Sequence, residues 1–190
     1  MKKLLKRIFD VSISLPAVIL LLPVFVIIVI AIKISDKGPA VFKQERTGKD
    51  GKPFIFYKFR TMKVQVDPFG QSPKSGDDPR LIKPGKFLRE YSLDELPQLF
   101  NVIKGDMSIV GPRPLYIAQI AKLTDYHKKR LVVKPGLTGL SQLYGRSELT
   151  EKTNLDLEVE YTQKQSFWLD IKIIFLTLGI VFGKKGVYEK

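Results

Sequence analysis

The sequence predicts an α+β fold, mostly helical, with a membrane-embedded re-entrant N-terminal helix, a small β-hairpin and amphipathic interfacial helices. Three observations point to it. Residues 8–34 form an apolar run long enough for a bilayer, yet Pro16 and Pro23 lie inside it and basic residues flank both ends. Asp50-Gly51 supplies turn chemistry between two partly alternating apolar stretches within 40–62. The remainder alternates helix-periodic segments with Gly- and Pro-rich turns, without an internal repeat or a linker. The expected division is an anchor over 1–36 and one body over 37–190 that includes an interfacial C-terminal helix.

The apolar run reads "IFDVSISLPAVILLLPVFVIIVIAIKI". It is too long for a signal peptide and no small-residue cleavage site follows it. Lys2, Lys3, Lys6 and Arg7 precede it, and Lys33 and Lys37 follow. The positive-inside tendency therefore places both ends on the cytoplasmic side. Pro23, near the middle, removes a backbone hydrogen bond and bends a helix. Each half then spans roughly 15–22 Å at 1.5 Å per residue, short of a hydrocarbon core of about 30 Å. A bent helix that enters and leaves one leaflet meets both constraints. The alternative is a single spanning helix.

Residues 40–62 predict the hairpin. Residues 64–80, rich in Gly, Pro, Ser and Asp, predict a loop of the kind that forms lids. "GKFLREY" predicts a short helix. Ser92-Leu93-Asp94-Glu95 then matches the S-x-x-E capping box, with Glu95 reaching back to the cap and Asp94 offsetting the helix dipole. Pro97 would be the fifth residue of that helix and lacks the N–H needed there, so a helix that begins near Pro97 competes with it. Either start leaves two carboxylates at or beside a helix N-terminus. Residues 115–133 predict one helix with a polar face, on which His127 meets solvent. Residues 134–146 predict turns at Gly136, Gly139 and Gly145, and 150–165 an amphipathic helix. The segment 166–185 is very apolar but holds Asp170 and Lys172, and its uncharged stretch from Ile173 to Phe182 is too short to span. Trp168, Lys184 and Lys185 suit a membrane interface; a buried core helix is the alternative.

The 190-residue chain has a formal net charge of +13. That balance suits nucleic acid, an anionic membrane surface or a phosphorylated substrate. The chain has neither a nucleic-acid motif nor a lysine tract with interleaved aromatics, which argues against nucleic acid and leaves anionic membrane lipids as the expected surface partner. The absence of cysteine excludes disulfide and thiolate chemistry. A single histidine disfavours zinc. A metal would take oxygen ligands, so Mg2+ is expected, with Mn2+ as the alternative. Oligomeric state leaves no signal in the sequence.

Four blocks carry a resemblance: "YKFRTM" at 57–62, "DDPRLIKPGKFLREYSLDELPQ" at 77–98, "SLDELPQLFNVIKGDMSIVGPRP" at 92–114 and "KPGLTGLSQLYGR" at 134–146. Their order and spacing, behind a basic and hydrophobic start, resemble the bacterial sugar transferase family, the small monotopic phosphoglycosyl transferases. The resemblance covers nearly the whole chain, and the joint occurrence of the blocks is specific where "GPRP" alone would be weak. It implies transfer of a sugar-1-phosphate from a UDP-sugar to polyprenol (undecaprenyl) phosphate, with UMP leaving. This would be the first membrane step of glycoconjugate or polysaccharide assembly, on the cytoplasmic face of the bacterial inner membrane. It also implies that Asp94 is the nucleophile and forms a covalent aspartyl-phosphosugar. Two departures stand out. The family's Ser-Pro break is Leu22-Pro23 here, which leaves Ser12 and Ser14 as substitutes to hold a freed carbonyl. Leu140-Ser141 stands where relatives often have Trp-Ala.

A carboxylate that attacks a diphosphate meets an anion, so charge must first be neutralised. A divalent ion at Asp94 would do this. Lys58, Arg60, Arg89, Arg113 and Arg146 are the candidate phosphate-binding cations. Arg113, between Pro112 and Pro114, would lose little entropy on forking onto phosphate. Glu95 would orient metal or help deprotonate the acceptor. Adjacent helical residues point about 100° apart, so the two acids take distinct roles. The resemblance also places Glu158 and Asp170 near the site, behind the reacting groups. Two other functions fit the composition: a non-catalytic membrane adaptor, and a glycosyl transferase without a covalent intermediate, which would release nucleoside diphosphate.

Overall fold

The computed structural model describes residues 3–67, 70, 72–144 and 149–183. Helix α1 (Lys3–Ser35) has Pro16 and Pro23 in its interior, and the two halves expected around Pro23 are one helix of 33 residues. Each proline frees the carbonyl four residues earlier, here Ser12 and Ile19. The hydroxyls of Ser12 and Ser14 donate instead to the carbonyls of Phe9 and Asp10, so neither substitutes for the missing family serine. Asp10, Ser14, Val18, Ile28 and Ile32 are buried along one face of α1, and the opposite face exposes Leu15, Ile19, Leu22, Val26 and Ile30.

Strands β1 (Val41–Thr47) and β2 (Pro53–Phe59) form the predicted antiparallel hairpin, with Val41 opposite Phe59 and Thr47 opposite Pro53. The turn needs positive φ at Asp50 (55°) and Gly51 (77°), which an Asp-Gly pair tolerates. Helix α2 (Gly85–Glu90) follows the loop. Ser92 then adopts a left-handed conformation and makes no side-chain cap. Leu93–Glu95 is a short 3-10 turn, and α3 (Gln98–Lys104) starts after Pro97. The capping box therefore does not form, and the competing start at Pro97 is the one adopted.

A second sheet was not visible in the sequence. Strand β3 (Ser108–Val110) pairs in parallel with β4 (Gly136–Thr138). Three-residue strands have too little alternation to read. The pairing depends on close backbone approach: a Cβ on Gly136 would lie 2.1 Å from Gly111 N and 2.3 Å from Thr138 O. Both neighbours are backbone and cannot rotate away. We expect Gly136→Ala to destabilise the protein by about 3 kcal/mol, the upper end of ordinary overpacking. Thermal unfolding in detergent would measure it, and an unchanged melting temperature would mean that this crossing relaxes freely.

The single helix expected over 115–133 is broken into α4 (Ile117–Ile120), α5 (Asp125–Lys128) and a 3-10 turn, Lys129–Val132. Thr124 restarts it, its hydroxyl accepting from His127 N at 3.3 Å. His127 is buried rather than solvent-facing, with Nε2 2.9 Å from Asp156 Oδ1. Helices α6 (Leu140–Leu143), α7 (Glu151–Lys164) and α8 (Phe167–Phe182) complete the chain. Helix α8 has one buried face and one exposed apolar face. Asp170 and Ile173 are fully buried, whereas Trp168 is 77 % and Phe175 69 % exposed.

Two apolar clusters lie against α1. Val18 joins Phe54, Phe56, Leu99, Val102 and Tyr161 in one; Ile28 and Ile32 join Phe59, Ile82 and Leu88 in the other. Polar ties fix both ends of the helix to the same body. Near its start, Arg7 donates to the carbonyls of Val102 and Ile103 at the end of α3, where a cation complements the helix dipole. Asp10 accepts from Ser108 Oγ and Ile109 N, and Lys6 pairs with Asp170 at 2.7 Å. At its far end, Ser35 accepts from Lys83 N, and Asp36 pairs with Arg60.

Candidate active site

The acidic pair sits where α2 turns into α3. The left-handed Ser92 reverses the chain after Tyr91, and the 3-10 turn presents Asp94 and Glu95 to a cavity of about 870 Å³. That volume suits a small-molecule site. Lys58 reaches the acids from β2, where it continues the row of Phe54 and Phe56 on one strand face. Its Nζ lies 3.0 Å from Glu95 Oε1 and 3.4 Å from Asp94 Oδ2. Burial raises the Asp94 carboxyl above its ordinary pKa, and Lys58, then Arg89, pull it back down while Glu95 pushes it further up.

The cavity wall includes Lys58, Arg60, Arg89, Arg113 and Glu158 as well as the acids. The loop contributes Lys63, Val64, Val66, Asp67 and Ser72. Arg60 is tied down: it pairs with Asp36 and donates to Pro39 O at 2.7 Å. Glu158 holds the Arg113 backbone. Its Oε1 accepts from Arg113 N at 3.0 Å and from Ser141 Oγ at 3.2 Å, and its Oε2 accepts from Arg130 Nε at 2.6 Å. Arg130 donates in turn to Arg113 O. The Arg113 side chain remains exposed while its backbone is clamped on both sides. Ser141, at one of the two departures from the family pattern, is part of that clamp.

Asp170 is not on the cavity wall among the described residues. It lies in a separate buried network, 2.7 Å from Lys6 Nζ and 2.8 Å from the Tyr161 hydroxyl. Burial, then the Asp170 charge, pushes the Tyr161 hydroxyl well above its usual pKa, so it stays protonated there. Arg146 lies outside the described residues.

Two wall residues were missed from the sequence. Arg46, on β1, has its guanidinium carbon 3.4 Å from the Tyr116 ring centroid and 5.6 Å from that of Phe56. Gln98, first residue of α3, is buried. Among the described residues, Arg46 Nε, Arg89 Nε and Gln98 Nε2 are buried nitrogens without a hydrogen-bond partner, and all three residues line this cavity. Buried donors ordinarily find acceptors, so these three are available to an acceptor within the cavity. Alternation along β1, which puts Phe42, Gln44 and Arg46 on one face, was the available signal for Arg46.

Comparison with known proteins agrees with the motifs. The family model described as bacterial sugar transferase matches residues 1–184. The chain is 42 % identical over 194 residues to the UDP-glucose:undecaprenyl-phosphate glucose-1-phosphate transferase of Escherichia coli K12, an alignment that covers 98 % of this chain and 42 % of that protein. It is 37 % identical over 201 residues to the undecaprenyl-phosphate galactose phosphotransferase of Salmonella typhimurium, covering 98 % and 42 %. An uncharacterized sugar transferase of Bacillus subtilis, EpsL, is 42 % identical over 191 residues, covering 98 % of this chain and 91 % of its own length. The chain therefore spans less than half of the first two relatives and most of the third.

Proposed function

Because the chain belongs to the bacterial sugar transferase family, we propose that it transfers a sugar-1-phosphate from a UDP-sugar to undecaprenyl phosphate, with Asp94 as the nucleophile and UMP as the leaving product. The observation that carries this reading is the buried Asp94 carboxylate on the wall of a cavity that also holds Lys58, Arg46, Arg89 and Arg113. One carboxylate facing several cations suits attack on a dianionic diphosphate. The names of the Escherichia coli and Salmonella relatives support the substrate classes.

In the first half-reaction an Asp94 oxygen attacks the sugar-bearing phosphorus. The bond from that phosphorus to the bridging oxygen breaks, and the electron pair leaves with UMP. In the second, an oxygen of the lipid phosphate attacks the same phosphorus and releases Asp94. Lys58 holds the acids in place before attack, and Arg89 and Arg113 neutralise phosphate oxygens. Asp94 and Glu95 are hard oxygen donors, and no third His, Asp or Glu clusters with them among the described residues. That set suits Mg2+, or Mn2+, which keeps its remaining ligands from water and substrate phosphate. When bound, the ion would lower the repulsion between carboxylate and diphosphate. A panel of UDP-sugars assayed for UMP release without acceptor tests the reading and identifies the sugar.

We further propose that α1 is re-entrant and anchors the body, residues 37–190, to the cytoplasmic face of the inner membrane. Ties at both ends of α1 to one body support this, because a spanning helix would carry one set of partners across the bilayer. The exposed apolar faces of α1 and α8 supply the embedded surface. The chain has no cysteine, so Lys3→Cys and Lys37→Cys each give one labelling site. Both should react with an impermeant maleimide only from the cytoplasmic side. Labelling of position 3 from the outside would replace the re-entrant arrangement with a spanning one.

A further inference from the structure

We propose that Arg46 and Arg113 form a phosphate station for the nucleotide end of the donor, distinct from the Lys58–Asp94–Glu95 cluster on the same cavity wall. The proposal rests on the sugar-phosphate transfer reading above and adds to it where the leaving group is held.

Arg46 is a partly buried cation with an unusual set of neighbours. One terminal nitrogen bonds Gln44 Oε1 at 2.8 Å, the other reaches Pro114 O at 3.4 Å, and the Tyr116 ring lies beneath the guanidinium. Its Nε is buried without a partner, and among the described residues no carboxylate pairs with it. Buried charges ordinarily have a counter-ion, and a guanidinium without one beside an open cavity lacks its anion. The contact to Pro114 O places Arg46 against the Pro112-Arg113-Pro114 segment, whose backbone Glu158 and Arg130 hold. Arg46, Arg113 and Tyr116 all line the cavity, and Arg46 bonds the residue that follows Arg113. The Arg46 pKa is lowered to about 10, by burial first and also by the Arg113 charge, while Tyr116 opposes through its charge and a side-chain hydrogen bond. By its contacts the cavity wall has two neighbourhoods: Lys58 with Asp94 and Glu95, and Arg46 with Gln44, Pro114 and Tyr116.

The reaction gives the second neighbourhood a purpose. When the Asp94 oxygen bonds to the sugar-bearing phosphorus and the bridging bond breaks, the electron pair goes to the nucleotide phosphate, which changes from monoanion to dianion. No proton or co-reactant is needed. Cations placed at that phosphate bind the product more strongly than the starting diester, so they favour the departing group. The Tyr116 ring against Arg46 holds its planar guanidinium in place on the cavity wall.

Polyprenol phosphate carries the same chemistry, a phosphate monoester, so the test must separate the two sources. Full-length protein in detergent micelles would be titrated with UMP, with uridine, and with farnesyl phosphate, for wild type, Arg46→Gln and Arg46→Lys. Arg46→Gln should weaken UMP about tenfold or more, the loss of a charge-assisted contact, and leave uridine unchanged. Arg46→Lys should weaken UMP less and also spare uridine; it decides the matter alone if the glutamine variant does not fold. Equal loss of UMP and uridine would make Arg46 a shaper of the fold and overturn the proposal. So would unchanged UMP affinity with weakened farnesyl phosphate, which would give the station to the acceptor. Wild-type protein that binds UMP through Arg46 but releases none from any UDP-sugar would leave the station standing and defeat the transfer reaction.

Discussion

Asp94→Asn should eliminate both UMP release from a UDP-sugar and the covalent phosphosugar on the protein, with the fold kept. The substitution preserves shape, and Lys58 retains Glu95 at 3.0 Å, so the turn between α2 and α3 has no reason to move. What disappears is a nucleophile, since an amide oxygen does not attack phosphorus at a useful rate. A loss of about four orders of magnitude or more in turnover is the scale seen when a covalent nucleophile is removed. Glu95→Gln should slow turnover and still form adduct, because Asp94 keeps its carboxylate and most of its surroundings. The experiment mixes protein, magnesium and UDP-sugar without acceptor, quenches, and weighs the peptide that holds Asp94. UMP formed only when the acceptor is added, with no mass gain on that peptide, would mean direct attack by the lipid phosphate. Release of UDP instead of UMP would mean glycosyl transfer. Full function in Asp94→Asn would leave the membrane-adaptor reading.

The covalent route has a physical motive at a membrane. In the proposed reaction the donor is water-soluble and the acceptor sits in lipid, so a stored phosphosugar would let one cavity meet them in turn. The cavity borders the same body that holds both ends of α1, which fixes its height relative to any membrane surface that α1 and α8 enter.

Sequence reasoning reached the parts of this protein that local rules govern. Asp50-Gly51 dictates a hairpin turn whatever surrounds it, and 150–165 forms α7 because its own periodicity suffices. The adjacent acids and the proline-flanked Arg113 were conspicuous because such pairings are chemically unusual within a few residues. Contacts between distant segments left no such mark. Nothing near Glu158 announces that it holds a backbone N–H 45 residues away. Nothing in "TDYHKKR" announces that Asp156 receives His127, so a buried imidazole looked like a surface one. Ser92 matched a capping box by spacing alone, and its left-handed backbone defeated the match. Arg46 was hidden by its strand: it read as one polar position in a hairpin because the Tyr116 ring that lies over it arrives 70 residues later.

Glu158→Ala should be the most destabilising single change away from the reacting groups, at about 3–5 kcal/mol, the range for breaking a buried ion pair. Glu158 is 4 % and Arg130 2 % exposed, so neither is screened by water. Removing the carboxylate strands the Arg130 guanidinium in the interior with Arg113 O as its remaining acceptor, and it takes the acceptor from Arg113 N and leaves Ser141 Oγ with Gln142 Oε1 alone. Glu158→Gln keeps an acceptor oxygen and should lose less. The double change Glu158→Ala with Arg130→Met should recover part of the loss, because the stranded charge goes with its partner. Denaturant unfolding in detergent would read all three. The same variants bear on catalysis through Arg113, whose side chain reaches the cavity from a backbone that Glu158 and Arg130 hold. As that backbone loosens, the KM for donor should rise before kcat falls. A Glu158→Ala protein within about 1 kcal/mol of wild type, the size of an ordinary substitution, would show that the prolines on either side of Arg113 hold it without the clamp.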